Sequence, residues 1–258
     1  MRLHSLDELR ELIEDSLAEL ALSDDLGRLE QALRYTLESG GKRIRPVLCL
    51  AVAEAAGGTV QSALPVATAL ELTHTFSLVH DDLPGLDDDD LRRGRPSAHV
   101  AFGEGVAVLA GDALLAEAFR LVASDTRPEP ARELSAAVLG MIGGQYRDIT
   151  GDDADLEALH RLKTGRLLAA AVGLGLWAAD VPAEEQGAWR AFGDELGLLF
   201  QVVDDVLDGD GYVERIGAEA ARELADTAAE RARSRLDELG ADTSVLQELV
   251  DQLAVRTS

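Results

Sequence analysis

The amino-acid sequence predicts an all-α fold, and three observations support this. Apolar residues recur every three or four positions almost throughout the chain, which is the pattern of amphipathic helices. No stretch of alternating polar and apolar residues is long enough to indicate a strand. The chain of 258 residues is 47% apolar but only 4% aromatic, so it can bury a full core made largely of Ala and Leu, which favour helices.

Glycine and proline mark the bounds of the first four predicted helices. Residues 3–22 and 26–37 have helical periodicity, and a glycine pair ends the second of these helices. The third helix, over 46–56, begins with a proline, which fits the first turn of a helix. The fourth, over 65–82, is apolar on most sides, and we therefore expect it near the centre of the fold.

An acidic loop that contains Pro84 and Gly85 follows the fourth helix. Several later helices exceed the average of about 11–12 residues, which favours a large bundle with a deep interior. No repeat or low-complexity linker divides the chain, so we expect one domain over residues 1–258. The six later helices are predicted over residues 100–123, 130–150, 156–178, 184–208, 213–239 and 243–255.

Charge and cysteine content exclude several classes of protein. Asp and Glu total 48 and Lys and Arg total 24, which gives a net charge of −24. This balance argues against nucleic acid or an anionic membrane surface as the main partner, because both require a basic face. The single cysteine excludes a disulfide scaffold. No apolar run reaches the ~18 residues of a membrane span, and the charged N-terminal segment lacks a signal core, so we expect a cytoplasmic protein.

Two acidic clusters follow apolar helical segments. Asp81 and Asp82 end the fourth helix, where two adjacent carboxylates repel each other and oppose the negative end of the helix dipole. A bound divalent cation would offset that cost, and oxygen donors without His or Cys favour Mg²⁺. Asp204 and Asp208 are four residues apart and share one helix face. The alternative is a solvated acidic loop, which is the preferred interpretation for Asp88 to Asp90.

Basic residues indicate where phosphate would bind, because Mg²⁺ usually combines a few carboxylates with substrate phosphates. Lys42 and Arg45 lie at a helix start and would share a face if the helix begins that early. Arg92 and Arg93 follow the first acidic loop, and Lys163 interrupts a later helix. Each basic group alone is ordinary, but together with two acidic helix ends they predict a site for a phosphorylated substrate.

These motifs resemble those of the trans-prenyltransferases, or polyprenyl synthetases, especially the bacterial farnesyl and geranylgeranyl diphosphate synthases. The likeness covers most of the chain, and the two Asp-rich motifs are highly specific together. Four residues separate the first Asp pair from Asp87, as in the longer bacterial form. The matching segments, in order, are Gly-Gly-Lys-Arg-Ile-Arg-Pro at 40–46, Asp-Asp-Leu-Pro-Gly-Leu-Asp-Asp-Asp-Asp-Leu-Arg-Arg-Gly at 81–94, Lys-Thr-Gly at 163–165 and Phe-Gln-Val-Val-Asp-Asp-Val-Leu-Asp at 200–208.

The resemblance implies an isoprenoid-synthase-type bundle of about ten helices around a central apolar cavity. The two Asp-rich helices would face each other at the mouth of that cavity. The resemblance further implies three Mg²⁺ ions, held by Asp81, Asp87 and Asp204, with Asp82 and Asp208 in support. It also implies a homodimer, for which the apolar fourth and fifth helices are the expected interface.

The implied reaction is the condensation of isopentenyl diphosphate with an allylic diphosphate. Ionisation of the allylic carbon would occur in a dry apolar pocket, and no enzyme nucleophile is required. Arg92 and Lys163 would aid the allylic diphosphate, and dipoles at Thr164 and Gln201 would face the developing cation. The resemblance assigns isopentenyl diphosphate to Lys42, Arg45, His74 and Arg93, although a lone histidine on an apolar helix is otherwise a satisfied core residue.

Phe76 lies five residues before Asp81, about one turn or more down the same helix. A bulky ring there resembles the arrangement that stops growth at short products, so we hypothesise that Phe76 limits the product to fifteen or twenty carbons. The alternative is plain core packing.

The chain departs from the family pattern after its second Asp-rich motif. The family carries a Lys- and Gly-rich stretch there, whereas Gly209 to Gly211 lead directly into the next helix, and no lysine follows Lys163. Arg215 or Arg222 are the nearest substitutes. Two alternatives therefore stay open: a non-catalytic subunit of a heteromeric prenyltransferase, and a terpene cyclase, against which the basic segment at 42–45 argues.

Overall fold

The computed structural model describes residues 2–151 and 156–255 and confirms the all-α class. Thirteen α-helical segments occur within these ranges, and a π-helical segment at Arg161–Gly165 joins two of them. The helices are α1 (Leu6–Ala18), α2 (Glu30–Leu37), α3 (Ile44–Ala55), α4 (Val60–Asp81), α5 (Ala98–Phe102), α6 (Glu104–Val122), α7 (Glu129–Thr150), α8 (Leu156–His160), α9 (Arg166–Ala178), α10 (Gly187–Asp208), α11 (Tyr212–Ile216), α12 (Ala218–Asp237) and α13 (Ser244–Ala254).

Glycines divide two of the predicted helices. Gly103, at φ 87°, separates α5 from α6, and Gly217, at φ 88°, separates α11 from α12. Both lie in the left-handed region, which glycine adopts without the steric cost of a Cβ atom. The sequence prediction of uninterrupted helices over 100–123 and 213–239 is therefore wrong at these points.

The expectation that no strand occurs is also corrected, though by very short elements. β1 (Leu91–Arg92) and β2 (Arg95–Pro96) pair antiparallel, with Arg92 opposite Arg95. Arg93, at φ 53°, and Gly94, at φ 76°, form the turn between them. Two-residue strands are too short to show a pattern of alternation, so the sequence carried no periodic signal for this hairpin.

Helix α4 lies at the centre of the bundle, as predicted, and packs against α3, α6 and α9. The expectation that the fourth and fifth helices form a dimer interface stays a prediction, and much of α4 is buried within this chain. Several exposed apolar side chains lie on α6 and on one face of α7. These are Val108, Leu109, Leu139, Ile142, Tyr146 and Ile149.

Apolar side chains from most of the helices form one connected core. Within the ranges that the structure describes, no helix has both the length and the hydropathy that a membrane crossing requires. The ends of the predicted domain, at residues 1 and 258, lie outside the described residues.

Candidate active site

The first acidic rim consists of Asp81, Asp82 and Asp87, at and just beyond the C-terminus of α4. The loop folds back on the helix, because the backbone N–H of Asp87 donates to the carbonyl of Asp81 at 2.9 Å. Asp82 is buried, and its Oδ1 accepts from Nε of Arg92 at 2.9 Å. Arg92 also donates to Asp89 at 3.0 Å. One arginine therefore neutralises the buried member of the Asp pair and ties the loop to the helix.

The carboxyl group of Asp81 is held at an unusual pKa. Burial, together with the neighbouring carboxylates of Asp87 and Asp82, raises the pKa of Asp81 to about 6, against the opposing influence of Lys163 and Arg92. An ionised Asp81 is thus costly in this position unless a cation lies close to it. Asp81 is the first of the metal ligands that the sequence predicts, and its negative charge is the one that most needs a nearby cation.

The second acidic rim consists of Asp204, Asp205 and Asp208, in the last two turns of α10. Asp204 is half-buried and Asp208 is exposed, and the two share one face of the helix. Asp205 lies about 100° further round the helix and is only 3% exposed. Gly209, at φ 78°, ends the helix through a hydrogen bond from its N–H to the carbonyl of Asp205.

The π-helical segment connects the two rims. Just before it, at the end of α8, Nδ1 of His160 lies 3.6 Å from Oδ2 of Asp205 in the second rim. Three residues later, Lys163 forms an ion pair with Asp148 of α7 and also acts electrostatically on the carboxyl of Asp81 in the first rim. The residues around this widened turn therefore act on both rims, and π-helical turns of this kind frequently mark functional sites.

A glycine allows the π-helical segment to approach α7 closely. A Cβ atom on Gly144 would lie 2.6 Å from the backbone nitrogen of Lys163, so no larger residue fits without a shift of the backbone. Thr164 is half-buried in the same segment. The sequence predicts an interruption of the helix at Lys163, and in the structure this interruption is the π-helical segment.

The basic cluster consists of Arg45, His74 and Arg93. Nε of Arg45 is buried and has no hydrogen-bond partner, and its guanidinium lies 5.5 Å from the ring centroid of Phe200. Burial and the surrounding arginines lower the pKa of His74 far below its ordinary value, so this imidazole is neutral. Burial lowers the pKa of Arg45, while Glu71 and Asp204 act against this shift. Arg45 thus lies within electrostatic reach of both α4 and the second rim.

Two residues behind the basic cluster were missed by the sequence analysis. Arg43 adopts a left-handed conformation, at φ 48°, and its buried side chain donates to Glu71 at 2.5 Å and to Glu14 at 2.8 Å. Glu71 is 1% exposed and also acts electrostatically on Arg45 and Arg93. The signal that could have identified it is a single carboxylate in an otherwise apolar helix, because a buried charge requires a partner.

Lys42 does not share a helix face with Arg45, because α3 begins only at Ile44 and Arg43 interrupts the helical geometry. Lys42 is exposed and borders a small hollow between α1, α3 and α13. The side chain of Arg93 reaches the same segment from the hairpin, where Nη1 lies 3.4 Å from Oγ of Ser39. The glycine at 41 accommodates it, since a Cβ atom there would overlap the guanidinium.

Phe76 is 7% exposed and contacts the ring of His80 edge-on, with centroids 5.2 Å apart. Nε2 of His80 lies 3.0 Å from the carbonyl of Val108 on α6, and its ring fills the space left by the absent side chain of Gly111. Phe76 therefore packs against an imidazole that α6 holds in position.

The chemistry of the two rims fits a hard divalent cation, because their side-chain donors are all carboxylate oxygens. Within residues 2–151 and 156–255, no three His, Cys, Asp or Glu side chains converge on a single point. Mg²⁺ does not require such convergence, because it retains waters and takes one or two carboxylates together with substrate phosphates. The raised pKa of Asp81 agrees with a cation at the first rim.

A cavity of about 510 Å³ lies on the other side of the π-helical segment, towards α11 and α12. His160, Gln201 and Tyr212 line it next to the second rim, and Arg161, Arg166 and Arg231 line its outer part. Of the residues assigned to the reaction, Gln201 borders this cavity, whereas those on α4 do not.

Comparison with known proteins agrees with this geometry. Residues 27–229 match the family described as polyprenyl synthetase. A geranylgeranyl diphosphate synthase of Cyanophora paradoxa is 42% identical over 232 residues, which cover 84% of this chain and 77% of that protein. A farnesyl diphosphate synthase of Bacillus subtilis (strain 168) is 38% identical over 262 residues, or 88% of each chain. A solved geranyltranstransferase of Thermotoga maritima has a TM-score of 0.88 and 30% identity, over 98% of this chain and 99% of that chain.

This chain belongs to the polyprenyl synthetase family. Within the family it is a short-chain trans-prenyl diphosphate synthase, in agreement with the names of these relatives. These comparisons give no support to the alternative of a non-catalytic subunit.

Proposed function

We propose that this chain condenses isopentenyl diphosphate, head to tail, with an allylic diphosphate to give a short product such as farnesyl or geranylgeranyl diphosphate. One observation carries the proposal: the junction of α8 with the π-helical segment lies between the two acidic rims, because His160 lies 3.6 Å from Asp205 and Lys163, three residues further on, acts electrostatically on Asp81. A diphosphate held between the rims would therefore meet carboxylates from two helices and a lysine from a third element.

The allylic diphosphate would bind at the rims. Asp81 and Asp87 on one side and Asp204 on the other would hold Mg²⁺, with Asp82 and Asp208 in support. When bound, the metal ions supply Lewis-acid stabilisation of the negative charge that develops on the departing diphosphate. The resemblance to the family suggests three ions. Arg92 and Lys163 would add positive charge to the same leaving group.

The remaining chemistry needs protection of a carbocation rather than a nucleophile. Thr164 and Gln201 present polar groups near the rims, and their oxygen dipoles would stabilise positive charge on the allylic carbon. Isopentenyl diphosphate would bind to Arg45, Arg93 and Lys42, with neutral His74 as a hydrogen-bonding partner. Its double bond would attack the allylic carbon, and the proton lost from the product would pass to the released diphosphate.

Purified protein with Mg²⁺, isopentenyl diphosphate and each allylic primer, followed by mass analysis of the products, tests this proposal. We expect products of fifteen or twenty carbons. Absence of condensation with every allylic primer would reject the proposed reaction.

Phe76 is proposed to set the product length. The rigid support of its ring by His80 and Gly111 favours this role, because a ring that cannot move aside limits chain growth. Phe76→Ala would lengthen the product, and unchanged product lengths would favour plain core packing.

We further propose that the chain forms a homodimer through α6 and α7 and acts in the cytoplasm as a single polyprenyl synthetase domain over residues 1–258. Leu139, Ile142, Tyr146 and Ile149 support the dimer, because they lie within one face of α7 and each is more than half exposed. Sedimentation of the wild type and of a Leu139→Glu variant tests the assembly. A wild type that sediments as a monomer would reject it.

A further inference from the structure

The carboxylate of Asp205 joins three parts of the second rim. Its Oδ1 accepts a hydrogen bond from Nε2 of Gln201 at 2.7 Å, and its Oδ2 accepts from the backbone N–H of Tyr212 at 2.8 Å. His160, the last residue of α8, lies 3.6 Å from the same Oδ2, and its ring contacts the ring of Tyr212 edge-on. Asp205 is 3% exposed, so its contacts are made inside the fold.

The short connection after α10 is built around this carboxylate. Gly211 adopts a left-handed conformation, at φ 49°, and a Cβ atom on it would lie 2.6 Å from Cγ of Asp205 and overlap Oδ2. Gly209 is also left-handed, at φ 78°, but nothing lies within 4 Å of where its Cβ would be. Gly211 is therefore required for its close approach to Asp205, whereas Gly209 is required only for its backbone conformation.

The hydrogen bond to Asp205 determines the orientation of the Gln201 amide. An ionised carboxylate has no proton to donate, so Gln201 must turn its NH₂ group towards Asp205. The amide oxygen is then left at the opposite end. In the structure this oxygen is buried and has no hydrogen-bond partner. Leaving a buried polar atom unpaired costs free energy of folding.

We propose that Asp205 is a positioning residue for the condensation: it anchors the short connection between α10 and α11 and fixes the Gln201 amide so that its oxygen, not its NH₂ group, is presented to the reacting allylic carbon. This inference rests on the proposed function. It gives Asp205 a role different from that of Asp204, its neighbour in sequence, which is proposed to hold metal. An oxygen favours the developing positive charge, whereas an NH₂ group in the same place would oppose it.

Asp205→Asn tests the orientation directly. The new side chain would accept from Tyr212 through its oxygen and donate to Gln201 through its NH₂ group, which turns the Gln201 amide round. We expect kcat to fall about 10²-fold, with the KM of both diphosphates and the Mg²⁺ concentration for half-maximal rate nearly unchanged. Adding Gln201→Glu to Asp205→Asn restores an oxygen at the reacting end, and we expect kcat to recover in part.

Gly211→Ala gives a second test that leaves every polar group of the rim intact. The added methyl group would displace Asp205, so we expect kcat to fall while both KM values stay close to those of the wild type. Gly209→Ala is the control for an alanine at positive φ in the same connection, because nothing lies within 4 Å of its Cβ position, and its kcat should stay near the wild-type value. Thermal unfolding of each variant shows whether the comparison is made between folded proteins.

The possible results separate this inference from the proposed function. A wild type that fails to condense the two diphosphates would reject the function itself. An active wild type with full kcat in both Asp205→Asn and Gly211→Ala would reject only the positioning role. A large increase in the Mg²⁺ requirement of Asp205→Asn would also overturn it, because Asp205 would then act as a metal ligand.

Discussion

The two acidic rims are built on the same plan but balance their charge differently. In each, the first aspartate of an adjacent pair is half-buried and the second is buried. Asp82, the buried member of the first rim, is paired with the cation of Arg92. Asp205, the buried member of the second, accepts from an amide side chain and a backbone N–H. The buried aspartate of the first rim is thus paired with a cation, whereas the buried aspartate of the second rim accepts from an amide side chain and a backbone N–H.

The two aspartates of each pair therefore have different roles. The buried aspartate holds the adjacent loop through its hydrogen bonds, while its neighbour, about 100° away on the helix, is the one that we propose to ligate metal. The resemblance implies a Lys- and Gly-rich stretch after the second rim, whereas in this sequence Gly209 to Gly211 lead directly into α11.

The largest expected effect concerns the first aspartate of each pair. Asp81→Asn and Asp204→Asn should each reduce the condensation rate by about 10³-fold, because a ligand to the leaving-group cations is lost. Product formation from radiolabelled isopentenyl diphosphate measures this loss. Asp90→Asn, an exposed change in the same acidic loop as the first rim, is the control and should retain near-normal activity. Normal activity of Asp81→Asn would show that Asp81 and Asp204 do not have equivalent roles in the two rims.

The next effect is a pH dependence that is specific to the first rim. Burial and two neighbouring carboxylates raise the pKa of Asp81 to about 6, so this group takes up a proton as the pH falls through that value. A protonated carboxyl group binds Mg²⁺ poorly. We therefore expect the Mg²⁺ concentration for half-maximal rate to rise about tenfold per pH unit below 6. A Mg²⁺ requirement that is constant between pH 7 and pH 5 would contradict this electrostatic account of Asp81.

The smallest effect is on stability and compares the donors that neutralise each buried aspartate. Arg92→Met leaves Asp82 buried without its cation and should lower the free energy of unfolding by about 3 kcal/mol, since Arg92 is itself one-third exposed. Gln201→Met leaves Asp205 with the N–H of Tyr212 and should cost about 1 kcal/mol. Urea unfolding in metal-free buffer measures both losses of free energy. A larger loss for Gln201→Met than for Arg92→Met would contradict the difference in charge balance between the two rims.

Much of the fold could be predicted because its signals are local. The periodicity of apolar residues, with glycine and proline at the boundaries, located most of the helices and placed α4 at the centre of the bundle. The acidic and basic motifs located the candidate site for the same reason. Their residues are grouped in sequence before the chain folds.

The features that the sequence analysis missed depend on tertiary packing. Nothing local distinguishes Asp205 from Asp204, because which of the two is buried depends on the rotation of α10 against its neighbours. Arg43 lies in a basic segment like any other, and only its ion pairs with Glu14 and Glu71 reveal that it faces the interior. The π-helical turn before α9 likewise packs closely against α7 at Gly144, a contact that no local pattern predicts.

The central claim is that carboxylates from both rims hold divalent ions on one diphosphate. A crystal structure with Mg²⁺ and an unreactive allylic diphosphate analogue, in which sulfur replaces the bridging oxygen at the allylic carbon, tests it most directly. We expect the analogue to lie between α4 and α10, with Asp81 and Asp204 ligating ions that its phosphate oxygens share. A diphosphate bound through one rim alone, or in the cavity lined by Arg161 and Arg231, would contradict the account.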